Sequence, residues 1–215
     1  EDVSAVLFDE PLTVIDPHLK WQLRRKLKQI HHELKLTLIY VTHDQIEALT
    51  FADQVVVMTR GRAVQMGTAS ELFERPQHTF VGNFIGSPGM NFLAARCAAA
   101  GIEVAGRTVA APDAALRSLG NFTLGVRPEY VQLAAANERG AVPATVTQVQ
   151  DIGTYWLLSA RIGTDAQNAV IRARLSPEAR IPHTGDPVWL SIVGPHTCYY
   201  ANDVLIQPSQ QGAQA

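Results

Sequence analysis

Two short apolar runs, each closed by groups suited to phosphate and water, constrain this chain more than any other feature. Ala5-Val6-Leu7-Phe8 runs into Asp9-Glu10-Pro11, and Leu38-Ile39-Tyr40-Val41 runs into Thr42-His43-Asp44. A short continuous apolar run predicts a strand buried on both faces. Between the two, Leu19, Leu23, Leu27, Ile30 and Leu34 recur at intervals of three and four, which draws one apolar stripe along a helix starting near Pro17. The result is a βαβ unit: a parallel strand pair with a right-handed crossover and its functional loops at the carboxyl ends of the strands.

At 215 residues the chain exceeds one typical domain, and 47% hydrophobic residues supply material for a real core. Eighteen Lys and Arg against 20 Asp and Glu give a net charge of −2, so there is no electrostatic footprint for nucleic acid or anionic lipid. Cys97 and Cys198 lack metal-ligand spacing and read as reduced structural thiols. No apolar segment is long enough to span a membrane, so any membrane link goes through a partner. The chain also begins abruptly, with a buried-type strand directly after Asp2-Val3-Ser4, the start expected of a piece of something longer.

Further along, Val55-Val56-Val57-Met58 and Ala63-Val64-Gln65-Met66 flank Thr59-Arg60-Gly61-Arg62 as a β-hairpin. Thr68-Ala69-Ser70-Glu71 fits a capping box that opens a short helix ending before Pro76. A second helical stretch, Thr79 to Ile85, leads into the boundary cluster Gly86-Ser87-Pro88-Gly89. Beyond it, β-prone runs at Thr123 to Val126, Ala144 to Val149, Tyr155 to Ile162, Ala169 to Leu175 and Val188 to Val193 predict a small sandwich or barrel, with one short helix near Pro112 to Leu119.

Asp9-Glu10-Pro11 sits where a parallel sheet presents its ligands. Phosphoryl hydrolysis needs one carboxylate on Mg²⁺ and a neighbour that polarises the attacking water. Acidic residues also end strands with no chemistry attached. If the two strands are neighbours, His43 lies beside Glu10, where a switchable proton can serve a phosphate oxygen or a water. A lone strand-end histidine is commonly structural; two such sites on one sheet edge favour the functional reading.

These residues resemble the motifs of ATP-binding-cassette ATPases. Val6-Leu7-Phe8-Asp9-Glu10-Pro11-Leu12 looks like the Walker B motif, Thr13-Val14-Ile15-Asp16 like the D-loop, and Thr42-His43-Asp44 like the switch histidine. Gln45-Ile46-Glu47-Ala48-Leu49 and Phe51-Ala52-Asp53 resemble the carbohydrate and polyol importer branch. Ser87-Pro88-Gly89-Met90-Asn91-Phe92 resembles the junction to that branch's regulatory domain, and Gly125-Val126-Arg127-Pro128-Glu129 a signature within it. The resemblance implies an α/β remnant of a P-loop nucleotide-binding domain over residues 1–86, then an all-β barrel regulatory domain of the oligonucleotide/oligosaccharide-binding (OB) type over 87–215, with a flexible C-terminal tail. That barrel type has five strands in Greek-key order.

Carried over residue by residue, the family implies ATP and Mg as cofactors. Asp9 would hold Mg²⁺ through its water shell, Glu10 would be the general base, and His43 the γ-phosphate sensor. Asp16 would contact nucleotide in the opposite subunit. Val14 and Ile15 are bulkier than the family's usual Ser-Ala-Leu-Asp pattern. The implied partners are transmembrane permease subunits, a second ATPase subunit and, indirectly, a periplasmic or extracellular solute-binding protein. The implied place is the cytoplasmic face of the membrane. The branch takes maltose-like sugars, glycerol phosphate and polyols, and Asp9 to Trp21 looks closest to glycerol-type importers.

The 215 residues contain no Gly-rich Lys-Ser/Thr loop and no Leu-Ser-Gly-Gly-Gln signature, so the chain alone is expected to be inactive. A non-enzymatic module whose β domain binds a ligand or partner is the rival reading; a nucleic-acid-binding barrel is disfavoured by the near-neutral charge. Arg127 and Glu129 either reach a neighbouring domain or form a solvated pair. Trp156, Trp189, Tyr199 and Tyr200 suit a core better than a stacking platform.

Overall fold

The structure, a computed structural model, describes residues 5–12, 15–163 and 169–206. The chain divides into two compact units between Glu71 and Leu72. Among the described residues no helix is long and apolar enough to cross a membrane.

The first unit runs β1 (Ala5–Asp9), α1 (Pro17–Leu34), β2 (Thr37–Val41), α2 (Gln45–Phe51), β3 (Val55–Thr59) and β4 (Arg62–Gly67), followed by α3 (Ala69–Glu74). Strands β1 and β2 pair in parallel, from Ala5 opposite Thr37 to Asp9 opposite Val41, as the apolar runs predict. Helix α1 begins at Pro17 because proline's missing N–H has no partner to lose there and its fixed φ is already helical. Asp16 caps it, Oδ1 accepting from the His18 N–H at 2.9 Å. Lys35, left-handed at φ 52°, ends it by donating its N–H to the His31 carbonyl at 2.8 Å.

Burial in this sheet departs from expectation. Both strands alternate rather than being covered twice, and Leu7 and Ile39 are 64% and 51% exposed. The helices cover only the face carrying Tyr40, whose ring meets Phe8 and Phe51. The helical stripe is likewise incomplete: Leu27 and Ile30 are half-buried, while Leu19 and Leu23 are exposed. The hairpin forms as predicted, with Arg60 and Gly61 both at positive φ in the two-residue turn between β3 and β4. The capping box is reciprocal: the Thr68 N–H donates to Glu71 Oε2 at 2.7 Å and the Glu71 N–H to Thr68 Oγ1 at 3.2 Å. The Thr68 N–H and the Thr68 hydroxyl, which also donates to Oε2 at 3.0 Å, pull the Glu71 pKa below the ordinary glutamate value.

The second unit contains α4 (Thr79–Phe84), β5 (Asn91–Ala98), β6 (Gly101–Val104), β7 (Arg107–Ala110), α5 (Ala114–Arg117), β8 (Asn121–Val126) and, after a 3₁₀ turn at Pro128–Tyr130, β9 (Gln132–Ala134). It continues through β10 (Ala141–Asp151), β11 (Trp156–Ile162), β12 (Ala169–Leu175), β13 (Pro187–Ser191), β14 (Cys198–Ala201) and β15 (Val204–Ile206). The strands form a five-stranded sheet in the order β12-β11-β10-β13-β9 and a six-stranded one in the order β15-β14-β8-β5-β6-β7. The unit is thus all-β as expected, with more strands than a minimal five-stranded barrel.

Leu93, Leu124 and Val126 from the six-stranded sheet share one buried cluster with Leu158, Ile171 and Leu190 from the five-stranded sheet. Asn91 stitches the two sheets. Its Nδ2 donates to the Arg172 carbonyl at 2.9 Å and its Oδ1 accepts from the Arg172 N–H at 2.8 Å. Tyr199 and Tyr200 are core, as expected; Trp156 and Trp189 are only half-buried.

Candidate functional site

The carboxyl ends of β1 and β2 bring Asp9, Glu10 and His43 to one edge of the parallel pair. The Glu10 N–H donates to the Val41 carbonyl at 2.9 Å, which carries the pairing one residue beyond β1. Its φ of 44° is a left-handed value that a side chain with a Cβ takes only at a cost, of order 1–3 kcal/mol. Such strain recurs where the chain must aim a functional group. Here it turns Glu10 so that Oε1 lies 3.0 Å from His43 Nδ1. Both side chains stay open to solvent, His43 at 69% and Glu10 at 44% exposure. An ionised carboxylate can only accept, so Nδ1 carries the proton in this contact.

Asp16 does not join this cluster; it caps α1. Thr13 and Val14 of the expected D-loop lie outside the described residues, as does the expected tail. Asp9 is exposed at the sheet edge. Among the described residues no group of three or more His, Cys, Asp or Glu could hold a metal unaided. A lone strand-end carboxylate with a second one adjacent still suits Mg²⁺, a hard cation that keeps its waters and takes one or two carboxylates plus phosphate oxygens. The donor set fits that ion shared with a nucleotide, not a caged metal.

Behind the edge stands a residue that sequence reasoning quoted in a motif but gave no task. Glu47, 3% exposed, takes Arg24 at 3.1 Å and Lys20 at 3.6 Å on Oε1, and the hydroxyls of Tyr40 at 3.1 Å and Thr42 at 3.0 Å on Oε2. Burial, then the adjacent Glu47 charge, push the Tyr40 phenol well above its ordinary pKa. Two basic residues of α1 four apart on one face, Lys20 and Arg24, were the available signal for a buried acid opposite them.

In the second unit the solvated pair between Arg127 and Glu129 does not form. Arg127 is 1% exposed and donates Nε to the Phe73 carbonyl at 2.6 Å, Nη1 to that of Ile85 at 2.5 Å and Nη2 to that of Leu72 at 3.5 Å. Three carbonyls at helix ends offered a better site than one carboxylate across a proline turn. Glu129 instead meets Arg174 at 2.9 Å.

Two family descriptions match stretches of the second unit. The family described as "MalK OB fold domain" matches residues 86–131, and that described as "TOBE domain" matches residues 124–198. An uncharacterized ABC transporter ATP-binding protein of Sinorhizobium fredii is 42% identical over 195 residues, covering 88% of this chain and 50% of the relative. The sn-glycerol-3-phosphate import ATP-binding protein UgpC of Pectobacterium atrosepticum is 42% identical over 193 residues, covering 88% of this chain and 52% of the relative. The protein of the same name from Vibrio vulnificus is 36% identical, covering 89% and 51%. The chain thus spans about half the length of the curated relatives it matches. With regions matching the MalK OB-fold and TOBE domain families and 36–42% identity over 88–89% of its length, the chain is similar to the C-terminal part of ATP-binding-cassette importer ATP-binding subunits.

Proposed function

We propose that this chain supplies the water-handling half of an ATPase site, and that the whole protein couples ATP hydrolysis to uptake of a sugar, glycerol phosphate or polyol. The observation that carries this is the 3.0 Å contact between His43 Nδ1 and Glu10 Oε1 at the ends of adjacent parallel strands. On this reading Glu10 takes a proton from water, His43 holds Glu10 through Nδ1–H and, when its ring is protonated, donates from Nε2 toward a phosphate oxygen, and Asp9 accepts from the hydration shell of Mg²⁺. Bound Mg-ATP would bring the transferable phosphoryl group. The UgpC name of several relatives favours glycerol phosphate as the solute.

On this reading residues 1–86 are the ATPase portion and 87–215 the regulatory module. The second compact unit reaches further toward the N-terminus than the module because Arg127 holds the Leu72, Phe73 and Ile85 carbonyls. Two such subunits would work together, with Asp16 facing the partner's nucleotide, on permease subunits at the cytoplasmic face of the membrane. A solute-binding protein would deliver cargo to the other side. Hydrolysis by these 215 residues alone is expected to stay at background, because no phosphate-cradling loop is among them.

The test is ATP turnover and nucleotide affinity on the same preparations of the full-length subunit. Glu10→Gln should keep nucleotide affinity and lose about 10²- to 10⁴-fold in turnover. Asp9→Asn should weaken Mg-nucleotide binding itself. Near wild-type turnover in Glu10→Gln would reduce Glu10 to a strand-end carboxylate and sink the assignment.

A further inference from the structure

The buried carboxylate of Glu47 touches none of Asp9, Glu10 or His43 in the bonds described above, yet a closed ring of hydrogen bonds runs from it around His43. Thr42, immediately before His43, gives its single hydroxyl proton to Glu47 Oε2 at 3.0 Å. A lone pair of the same hydroxyl accepts the Asp44 N–H at 3.0 Å. Asp44, immediately after His43, accepts the Glu47 N–H on Oδ1 at 3.2 Å and the Ile46 N–H on the same atom at 2.9 Å. Both neighbours of His43 are therefore tied to one residue of α2.

A staple between helices would need only the Oε1 side, where Lys20 and Arg24 of α1 meet the carboxylate. The Oε2 side is spent on Tyr40 and Thr42, at the end of β2 and just beyond it. A charge this deeply buried tolerates little displacement, since each lost partner leaves it unsatisfied in a low-dielectric setting. Rigidity of that kind is what a solvent-exposed histidine needs if its ring is to stay on one carboxylate.

We infer that Glu47 is a positioning residue for His43, acting through the Thr42 hydroxyl to hold the His43 ring on Glu10; this rests on the reading of His43 and Glu10 as the water-handling pair. The geometry requires the Nδ1–H form of the neutral His43 ring, whereas free histidine favours Nε2–H. Ring ¹⁵N resonances of the chain, recorded at about pH 8 where an ordinary histidine is neutral, report that choice directly. The unperturbed protein should show His43 as Nδ1–H. Thr42→Val, close in shape and unchanged in charge, and Glu47→Gln should each lower the Nδ1–H population of His43 several-fold and leave His32, on the far part of α1, unchanged.

Circular dichroism and thermal midpoint establish that each variant is folded. Should Glu47→Gln fail to fold, Thr42→Val decides, since it leaves the Lys20 and Arg24 pairs in place. A His43 ring that is not Nδ1–H in the unsubstituted chain overturns the pairing with Glu10, and with it any task for Glu47 there. An Nδ1–H ring that survives in folded Thr42→Val overturns the positioning role alone and leaves Glu47 a staple between α1 and α2.

Discussion

Arg127 grips Phe73 twice: its guanidinium lies 3.9 Å from the centre of the Phe73 ring, and its Nε donates to the Phe73 carbonyl at 2.6 Å. Burial pulls the guanidinium pKa below its ordinary value, with the Glu129 charge opposing that shift. Arg127→Met keeps the volume and removes every donor, which leaves the Phe73 and Ile85 carbonyls buried without this partner. A loss of about 2–4 kcal/mol follows, one orphaned carbonyl costing roughly 1–3 and relief of the buried charge returning part. Urea unfolding of the chain measures it; an unchanged midpoint would show that the three bonds contribute nothing net.

Gly125 tests packing rather than polarity. A Cβ built there meets Met90 Sδ and Tyr200 Cε2 at 2.7 Å, and the Tyr200 ring is fixed by its hydroxyl's bond to the Pro76 carbonyl at 2.9 Å. Gly125→Ala should destabilise by about 1–3 kcal/mol through overpacking, seen as a lowered thermal midpoint. A neutral result would mean that Met90 and the Tyr200 ring both shift clear.

Tyr199 supplies an alkaline test. Burial, then the nearby Asp113 charge, raise its phenol from about 10 in the unfolded chain to about 12. Between those values the folded chain keeps a proton that the unfolded chain has lost, so stability is fully present below pH ~10 and falls as pH climbs toward ~12. Tyr199→Phe removes that proton and should flatten the decline between pH ~9.5 and ~11.5, measured by denaturant titration at each pH. An unaltered decline would assign the loss to other groups.

The two thiols should separate on exposure. Cys198 is buried, its Sγ 3.6 Å from the Glu74 carbonyl oxygen, and burial pushes its pKa up; Cys97 is partly exposed. A thiol-specific reagent at neutral pH should label Cys97 first and reach Cys198 only after denaturant is added, as read by peptide mass spectrometry. Equal labelling in the native protein would contradict the burial of Cys198.

Where local chemistry alone decides structure, the sequence was a good guide. Pro17 behind Asp16 starts α1, Thr68 and Glu71 close a capping box, Arg60-Gly61 turns the hairpin, and Ala169–Leu175 is a strand with the expected ends. The neighbouring of Glu10 and His43 was legible too, because parallel pairing followed from the helix between the strands. What escaped depended on distant partners. Strand β5 carries Arg96 and Cys97 in its latter half, which blur its alternation, and β14 and β15 are too short for a pattern to emerge. Glu47 had no role assigned and Arg127 was left between a neighbouring domain and a solvated pair, because their partners lie 23 and 54 residues away in Arg24 and Phe73. The double-sided burial expected of β1 and β2 presumed a wider sheet than the described residues form.

Strand β12 ends the five-stranded sheet, and an edge is where one chain can recruit another by offering unused main-chain donors and acceptors. At Arg172 both are already taken by the amide of Asn91. One side chain therefore serves as a short false strand, occupying the rung on which a neighbouring molecule would otherwise begin to zip. An apolar residue at position 91, even one that packed equally well, would leave both main-chain groups of Arg172 without this partner and so reopen that rung of the edge.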